Sequence, residues 1–179
     1  MNYYISDCHF FHKNILYLTN RPYNTVEEMN EDIISRWNSR ITNDDDVYII
    51  GDMFFRFDDI QQVKDVLNRL NGKKHLIKGN HDKFLKQIRW QDYFESFDLY
   101  KEIADGDRFV ILFHYPIEEW NGFYRNSYMV YGHIHDNFVN VEYHPRKLNA
   151  GVEVNNYEPK TLDELIEINR LRREQNDLS

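Results

Sequence analysis

The 179-residue chain contains one cysteine, Cys8, which excludes an intrachain disulfide and any zinc site built on two or more thiolates. Its 4 prolines and 7 glycines are scattered, with no linker rich in Pro, Gly or Ser, no internal repeat and no low-complexity tract; a single domain over 1–179 is expected. Long hydrophobic runs are missing too. The best candidates, such as 109–113, suit a buried strand and fall far short of the roughly 18 residues a membrane span requires, so no membrane partner is expected. Basic charge is in deficit. With 22 Lys+Arg against 30 Asp+Glu the chain carries −8, which argues against binding to long nucleic acid or anionic lipid through a basic surface. Tyr3-Tyr4-Ile5 already reads as a strand, leaving no room ahead of it for a basic and apolar leader, so a cytoplasmic protein is expected.

What the chain has in plenty is aromatic residues: 13 Tyr, 12 Phe and 3 Trp, large enough to supply a core despite the many charges. Short apolar strands alternate with amphipathic helices, the pattern of a layered α/β domain. Thr25-x-x-Glu28 has capping-box spacing, and Val26, Met29, Ile33 and Trp37 recur at helical intervals. Residues 46–50 read as a buried strand running into Gly51-Asp52. Asp58 is expected to cap a helix whose Ile60, Val63, Leu67 and Leu70 line one face before Asn71-Gly72 stops it. A strand at 74–78 enters Gly79-Asn80-His81-Asp82, while 83–89 fits neither pattern. Asp105-Gly106 marks a hairpin turn before a strand at 108–114, and 128–131 forms a strand into Gly132-His133-Ile134-His135. Thr161-x-x-Glu164 opens a last helix, through about Arg173, with a frayed tail after Gln175.

Strand after strand thus ends in residues able to bind metal: Asp7 and His9, Asp52, Asn80 and His81, His114, His133 and His135. In α/β sheets ligands sit at the carboxyl ends of strands, where the loops converge. Five such ends imply one shared site. Asp7-x-His9 can point both donors the same way if the strand end stays extended, which turns Cys8 away as a buried, inert thiol. His75 within a strand and His144 beside Pro145 read as structural or exposed.

The series Asp7-Cys8-His9, Gly51-Asp52, Gly79-Asn80-His81-Asp82, His114 and Gly132-His133-Ile134-His135 resembles the calcineurin-like metallophosphoesterase superfamily. It is most similar to a group of short single-domain chains with a second histidine in the first motif, here Phe10-Phe11-His12. The resemblance implies a four-layer αββα sandwich, two central mixed β-sheets flanked by helices, holding two divalent metals. By position, Asp7, His9, Asp52 and His135 resemble the ligands of the first metal. Asp52 would bridge to the second, which would also take Asn80, His114 and His133. His81 resembles the catalytic histidine near the leaving-group oxygen and Asp82 its orienting partner. One stretch departs from the pattern: Met53-Phe54-Phe55 lacks the polar residue many members carry there.

The chemistry is consistent with that assignment. Two cations about 3.5–4 Å apart need a bridging carboxylate to offset their repulsion; such a pair generates hydroxide near neutral pH and polarises phosphoryl oxygens. Histidine assistance to the departing alkoxide contributes about 10²–10⁴-fold. Imidazole, carboxylate and amide donors suit Mn, Fe, Zn or Co, with Mn the expected activator in vitro. A small phosphomonoester or diester, such as a nucleotide, is the expected substrate. A nuclease or polynucleotide phosphatase, and a non-catalytic scaffold that kept the fold, are the rival readings. His12, Arg21, Arg56 and Arg125 are candidate phosphate contacts, since a guanidinium grips phosphate in a fork. The segment 116–126, with Trp120, Phe123 and Tyr124, is either an aromatic wall for a nucleobase or a packed lid, and Asn149 to Gly151 is expected to close the site from the far side.

Overall fold

The computed structural model describes residues 1–137 and 143–176; the expected frayed tail falls largely outside them, at 177–179. Strands β1 (Asn2–Ile5), β2 (Asp46–Ile49), β3 (Lys73–Ile77) and β4 (Ser96–Asp98) form one sheet in that order, every pair parallel. Helices α1 (Ile15–Leu18) and α2 (Val26–Arg40) join β1 to β2, α3 (Ile60–Arg69) joins β2 to β3, and two 3-10 turns, Lys83–Lys86 and Trp90–Asp92, lead to β4. The first of those turns lies in the stretch that matched no periodic pattern. The chain then crosses at the exposed Leu99 into a second sheet, β5 (Tyr100–Asp105), β6 (Arg108–Phe113), β7 (Tyr128–Tyr131) and β8 (Lys147–Asn149), before α4 (Leu162–Asn176) docks on β8 and β1. The four strands of the first sheet pair parallel, with an antiparallel bridge between Tyr4 and Lys160 on its β1 edge, and the second sheet is mixed; two sheets flanked by helices match the expected fold class. A hairpin joins β5 to β6 antiparallel, whereas the other neighbours are reached by crossovers, which enforce parallel pairing.

Strand periodicity builds the layers. Ile5, Val47, Ile49 and Leu76 face α2 and α3 and pack with Met29, Ile33, Trp37, Val63 and Leu67. Their alternates Tyr4, Tyr48, Ile50 and Ile77 face the other sheet and meet Val110, Leu112, Val130 and Leu148. With both faces covered, parallel strands are apolar at nearly every position. On the far face of the second sheet, Ile111, Met129 and Tyr131 are covered by Trp120. Among the described residues no helix is long and apolar enough to cross a membrane.

Local signals account for the helix ends. Thr25 accepts from the Glu28 backbone at 3.1 Å, and Thr161 and Glu164 exchange both bonds of a capping box. The cap of α3 is Asp59 rather than Asp58. The Asp59 side chain accepts from Gln61 N–H at 2.9 Å, and Gln62, three residues beyond, reaches back to the Asp59 backbone N–H at 3.4 Å to complete a capping box. The hairpin turn at Asp105-Gly106 forms as expected, with Gly106 at φ 63°.

Candidate metal centre

The carboxyl ends of β1, β2, β3, β6 and β7 lie along one edge because these strands run parallel within their sheets, and every candidate donor follows one of them. Beyond the strand ends the loops continue side by side. Asp7 N–H donates to Gly51 O at 3.0 Å, His9 N–H to Asp52 O at 3.0 Å and Phe10 N–H to Met53 O at 2.9 Å, while Gly132 N–H donates to His114 O at 3.0 Å. The loop backbone is not extended. Asp7 (φ 57°), His9 (51°), Asp52 (53°), His133 (73°) and His135 (52°) are all left-handed, so Asp7 and His9 converge through a turn rather than along a strand end. Cys8 is nonetheless fully buried, and burial pushes its thiol pKa up.

Two groups of side chains gather there: Asp7, His9 and His135, and Asp52, His114 and His133, with the donor atoms of each group within 4.8 Å of one another. Asp52 stands between them, its Oδ2 lying 3.7 Å from His9 Nε2 and 3.5 Å from His114 Nε2. Asn80 Oδ1 lies 3.0 Å from His114 Nε2 and 3.1 Å from His133 Nδ1. His114 Nδ1 lies 2.8 Å from Ile50 O, an acceptor only, so this nitrogen carries the proton and Nε2 faces the second group. Within the first group Asp7 Oδ1 and both ring nitrogens of His9 are buried without any hydrogen-bond partner. Each such orphan costs about 1–3 kcal/mol unless something occupies the space between them. A cation satisfies carboxylate and imidazole donors at once, so the residues fit a metal.

The electrostatics carry the same signature. Burial pushes the Asp7 carboxyl up to about 6, and burial holds the His9 imidazole down at about 2. Burial also opposes charge on His114, but the adjoining Asp52 and Asp7 carboxylates outweigh it and raise the imidazole to about 9. Buried carboxylates thus draw a positive charge, and one from a metal answers the same demand.

His81 sits at the rim. Its backbone N–H donates to Asp52 Oδ1 at 2.8 Å, and its ring is 35% exposed, edge-on to Phe55 at 4.6 Å. Asp82 does not hydrogen-bond this ring, which corrects the expected orienting role. Its carboxylate accepts backbone N–H bonds from Gly79 (2.8 Å), Asp52 (3.0 Å) and Met53 (2.9 Å), tying the β2 and β3 loops together.

The candidate substrate residues divide. His12 is buried, 3.9 Å from the Phe55 ring, with Nδ1 unpartnered, and it lines a cavity of about 470 Å³ shared with His9, His81, His133 and His135. Arg56, left-handed at φ 55° and over the Phe55 ring, lines an adjoining cavity of about 330 Å³ with His12 and Lys13. Arg21 is buried and turned inward on Glu153 and on the carbonyls of Asp7 and Cys8, so it presents no fork to a substrate. Arg125 is exposed on the 3-10 turn Phe123–Arg125 and lines neither cavity. Trp120 donates its indole N–H to Ser127 Oγ at 3.0 Å and packs on Phe123 and His144, so it serves the sheet face and builds no stacking wall. His75, held by Asp46 and Ser96 and stacked on Tyr48, is structural. Asn149 donates to His135 O at 2.8 Å and accepts from Gly151 N–H, holding the last loop in place.

Two residues at the centre escaped the sequence reading. Tyr115 places its ring 4.6 Å from that of His133 and its hydroxyl 3.4 Å from Asn80 Oδ1; its position next to His114 was the available hint. Glu153 accepts from His135 Nδ1 at 2.8 Å and pairs with Arg21, and its place in Val152-Glu153-Val154 carries no local signal.

Known proteins resemble this chain in sequence and in fold. An uncharacterized protein of Methanocaldococcus jannaschii is 35% identical, over 98% of this chain and 97% of its own. The crystal structure of a protein of unknown function from Aquifex aeolicus superposes with a TM-score of 0.76 at 27% identity, covering 94% of this chain and 98% of that one. Residues 3–177, a span that includes every donor described above, match the model of the calcineurin-like phosphoesterase family, and the chain belongs to that family.

Proposed function

We propose that the chain acts as one catalytic domain that hydrolyses a small phosphate ester with two divalent cations. Asp7, His9, Asp52 and His135 would hold the first and Asp52, Asn80, His114 and His133 the second. Bound there, the pair would supply a water of lowered pKa and neutralise charge on the phosphoryl oxygens. The observation that carries the reading is the shared Asp52 Oδ2, within 3.7 Å of an imidazole nitrogen from each donor group.

The protein's own groups do the rest. Asp82 and Asp7 fix the loops: Asp7 Oδ2 accepts from His133 N–H at 2.9 Å, so the first strand's carboxylate also sets the last loop. His81, open to the cavity and braced by Phe55, stands ready to protonate the leaving oxygen. His12 and Arg56 supply nitrogen donors for the substrate's remaining oxygens. A cavity of about 470 Å³ suits a small ester of nucleotide size.

Purified protein stripped with chelator should not hydrolyse bis(p-nitrophenyl) phosphate, and Mn²⁺ should restore turnover. A panel of cyclic nucleotides, dinucleoside polyphosphates, phosphomonoesters and short oligonucleotides then sorts substrate class. Equal rates in chelator and in Mn²⁺ would refute the proposal, and preference for oligonucleotides would favour a nuclease.

A further inference from the structure

Arg21 and Glu153 form an ion pair with side chains 0% and 3% exposed, 132 residues apart in sequence. A buried pair of this kind is a weak source of stability, because desolvating both charges consumes most of their attraction. Its position suggests another purpose. Arg21 donates Nε–H and Nη2–H to Glu153 Oε1 at 3.0 and 2.6 Å, Nη2–H also to Asp7 O at 2.7 Å, and Nη1–H to Cys8 O at 2.8 Å. It therefore grips both carbonyls of the left-handed turn that brings Asp7 and His9 together. Glu153 Oε1, on its other side, stands 2.8 Å from His135 Nδ1.

We propose that Arg21 and Glu153 are the positioning pair of the first donor group: Glu153 sets the tautomer of His135 and Arg21 pins the Asp7-Cys8 turn. This rests on the two-cation reading above. An ionised carboxylate only accepts hydrogen bonds, so the proton of neutral His135 resides on Nδ1 and the Nε2 lone pair is left for Asp7, His9 and a cation. The carboxylate also cancels the guanidinium charge, which would otherwise repel a cation held a few atoms away. Among the described residues no such ion pair contacts the second group, whose His114 is oriented by a backbone carbonyl instead. The pair should therefore act on one cation and not the other.

Glu153→Gln keeps an acceptor for both partners and removes the charge. Mn²⁺ titration of the stripped protein, followed by calorimetry, should show one of two sites weakened by roughly 10–100-fold and the other at its wild-type affinity. In a His135→Ala background the same substitution should weaken that site by clearly less than in wild type, because the histidine route is gone and only the uncancelled Arg21 charge remains. Equal weakening of both sites, or an undiminished effect without His135, would mean a merely structural pair and would overturn the proposal. If Glu153→Gln fails to fold, ring ¹⁵N–¹H correlation spectra of the wild-type protein decide instead. A proton on His135 Nδ1 supports the proposal and one on Nε2 refutes it. Wild-type protein that takes up no metal at all would sink the two-cation reading, while the tautomer measurement would still test Glu153.

Discussion

A methyl group added at Gly79 would sit 2.1 Å from Asp52 Oδ1, 2.5 Å from the Asp52 backbone nitrogen and 2.9 Å from Asp52 Cγ. Asp52 has no slack with which to retreat. Its Oδ1 accepts from His81 N–H at 2.8 Å and its own N–H donates to Asp82 at 3.0 Å, so relief requires the β2 and β3 loops to part. Overpacking of this sort costs about 1–3 kcal/mol, which leaves most of the protein folded. Function should suffer more. A shift of about 1 Å in a positioned group costs on the order of 10²-fold in rate, and here the displaced group is the carboxylate that lies between the two donor groups. Gly106→Ala is the control: Gly106, unlike Gly79, has a positive φ, 63°, and a Cβ there meets nothing within 4 Å. It should cost about 1–2 kcal/mol of backbone strain and leave the centre intact. Mn²⁺ affinity, hydrolysis of bis(p-nitrophenyl) phosphate and urea denaturation, measured on both variants, separate clash from strain. A Gly79→Ala protein with two wild-type Mn²⁺ affinities and turnover within twofold of wild type would show that the contact between these loops is dispensable, and the reasoning would fail.

His81→Ala should retain both metals, since only the backbone of His81 touches Asp52 closely, and should lose about 10²–10⁴-fold in turnover, most for poor leaving groups. An equal loss for p-nitrophenyl and alkyl esters would contradict proton donation. Glu153 titrates in the opposite sense to Asp7. Burial raises its carboxyl, but the His135 hydrogen bond and the Arg21 charge outweigh this and hold it down from 4.5 to about 2. Its contribution, at most about 3 kcal/mol, is complete above pH 4.5 and lost as the pH falls from there toward 2. In chelator, the stability advantage of wild type over Glu153→Gln should shrink across that window. A difference independent of pH between 5 and 2.5 would refute the assignment.

The layers were legible because strand alternation is local: Val47 and Ile49 against Tyr48 and Ile50 already name two faces. The convergence of the donors was legible for a related reason, since each follows an apolar run and parallel strands bring such ends to one edge. The left-handed turns were not, because Asp7-Cys8-His9 contains no glycine and reads as extended chain; the pairing with the Gly51 and Asp52 carbonyls selects the turn. Arg21 looked like a phosphate ligand because its partner lies 132 residues away. For Trp120 the choice between a stacking wall and a packed lid stayed open, because nothing local reveals that the outer face of the second sheet needs a cover. In each case a contact distant in sequence decided what a local rule could not.

Left-handed backbone at Asp7, His9, Asp52, His133 and His135 connects the strain of the centre to its chemistry. At about 1–2 kcal/mol per residue the five positions oppose folding by several kcal/mol, a large share of the roughly 5–15 kcal/mol that stabilises a typical domain. The bonds from Asp7, His9 and Gly132 N–H to neighbouring loop carbonyls offset part of this, but the orphaned atoms of Asp7 and His9 add to it. A cation that binds only the folded arrangement should return the difference. At a free concentration 1,000 times its dissociation constant, one bound ion stabilises by about 4 kcal/mol. For a chain of this size that raises Tm by roughly 8–16 °C per site. Thermal denaturation in chelator and in excess Mn²⁺ measures the shift. Asp52→Asn, which removes the shared charge, should abolish most of it. A wild-type Tm indifferent to Mn²⁺, or an equal rise in Asp52→Asn, would mean that the strained loops are held by the protein alone and that no cation completes them.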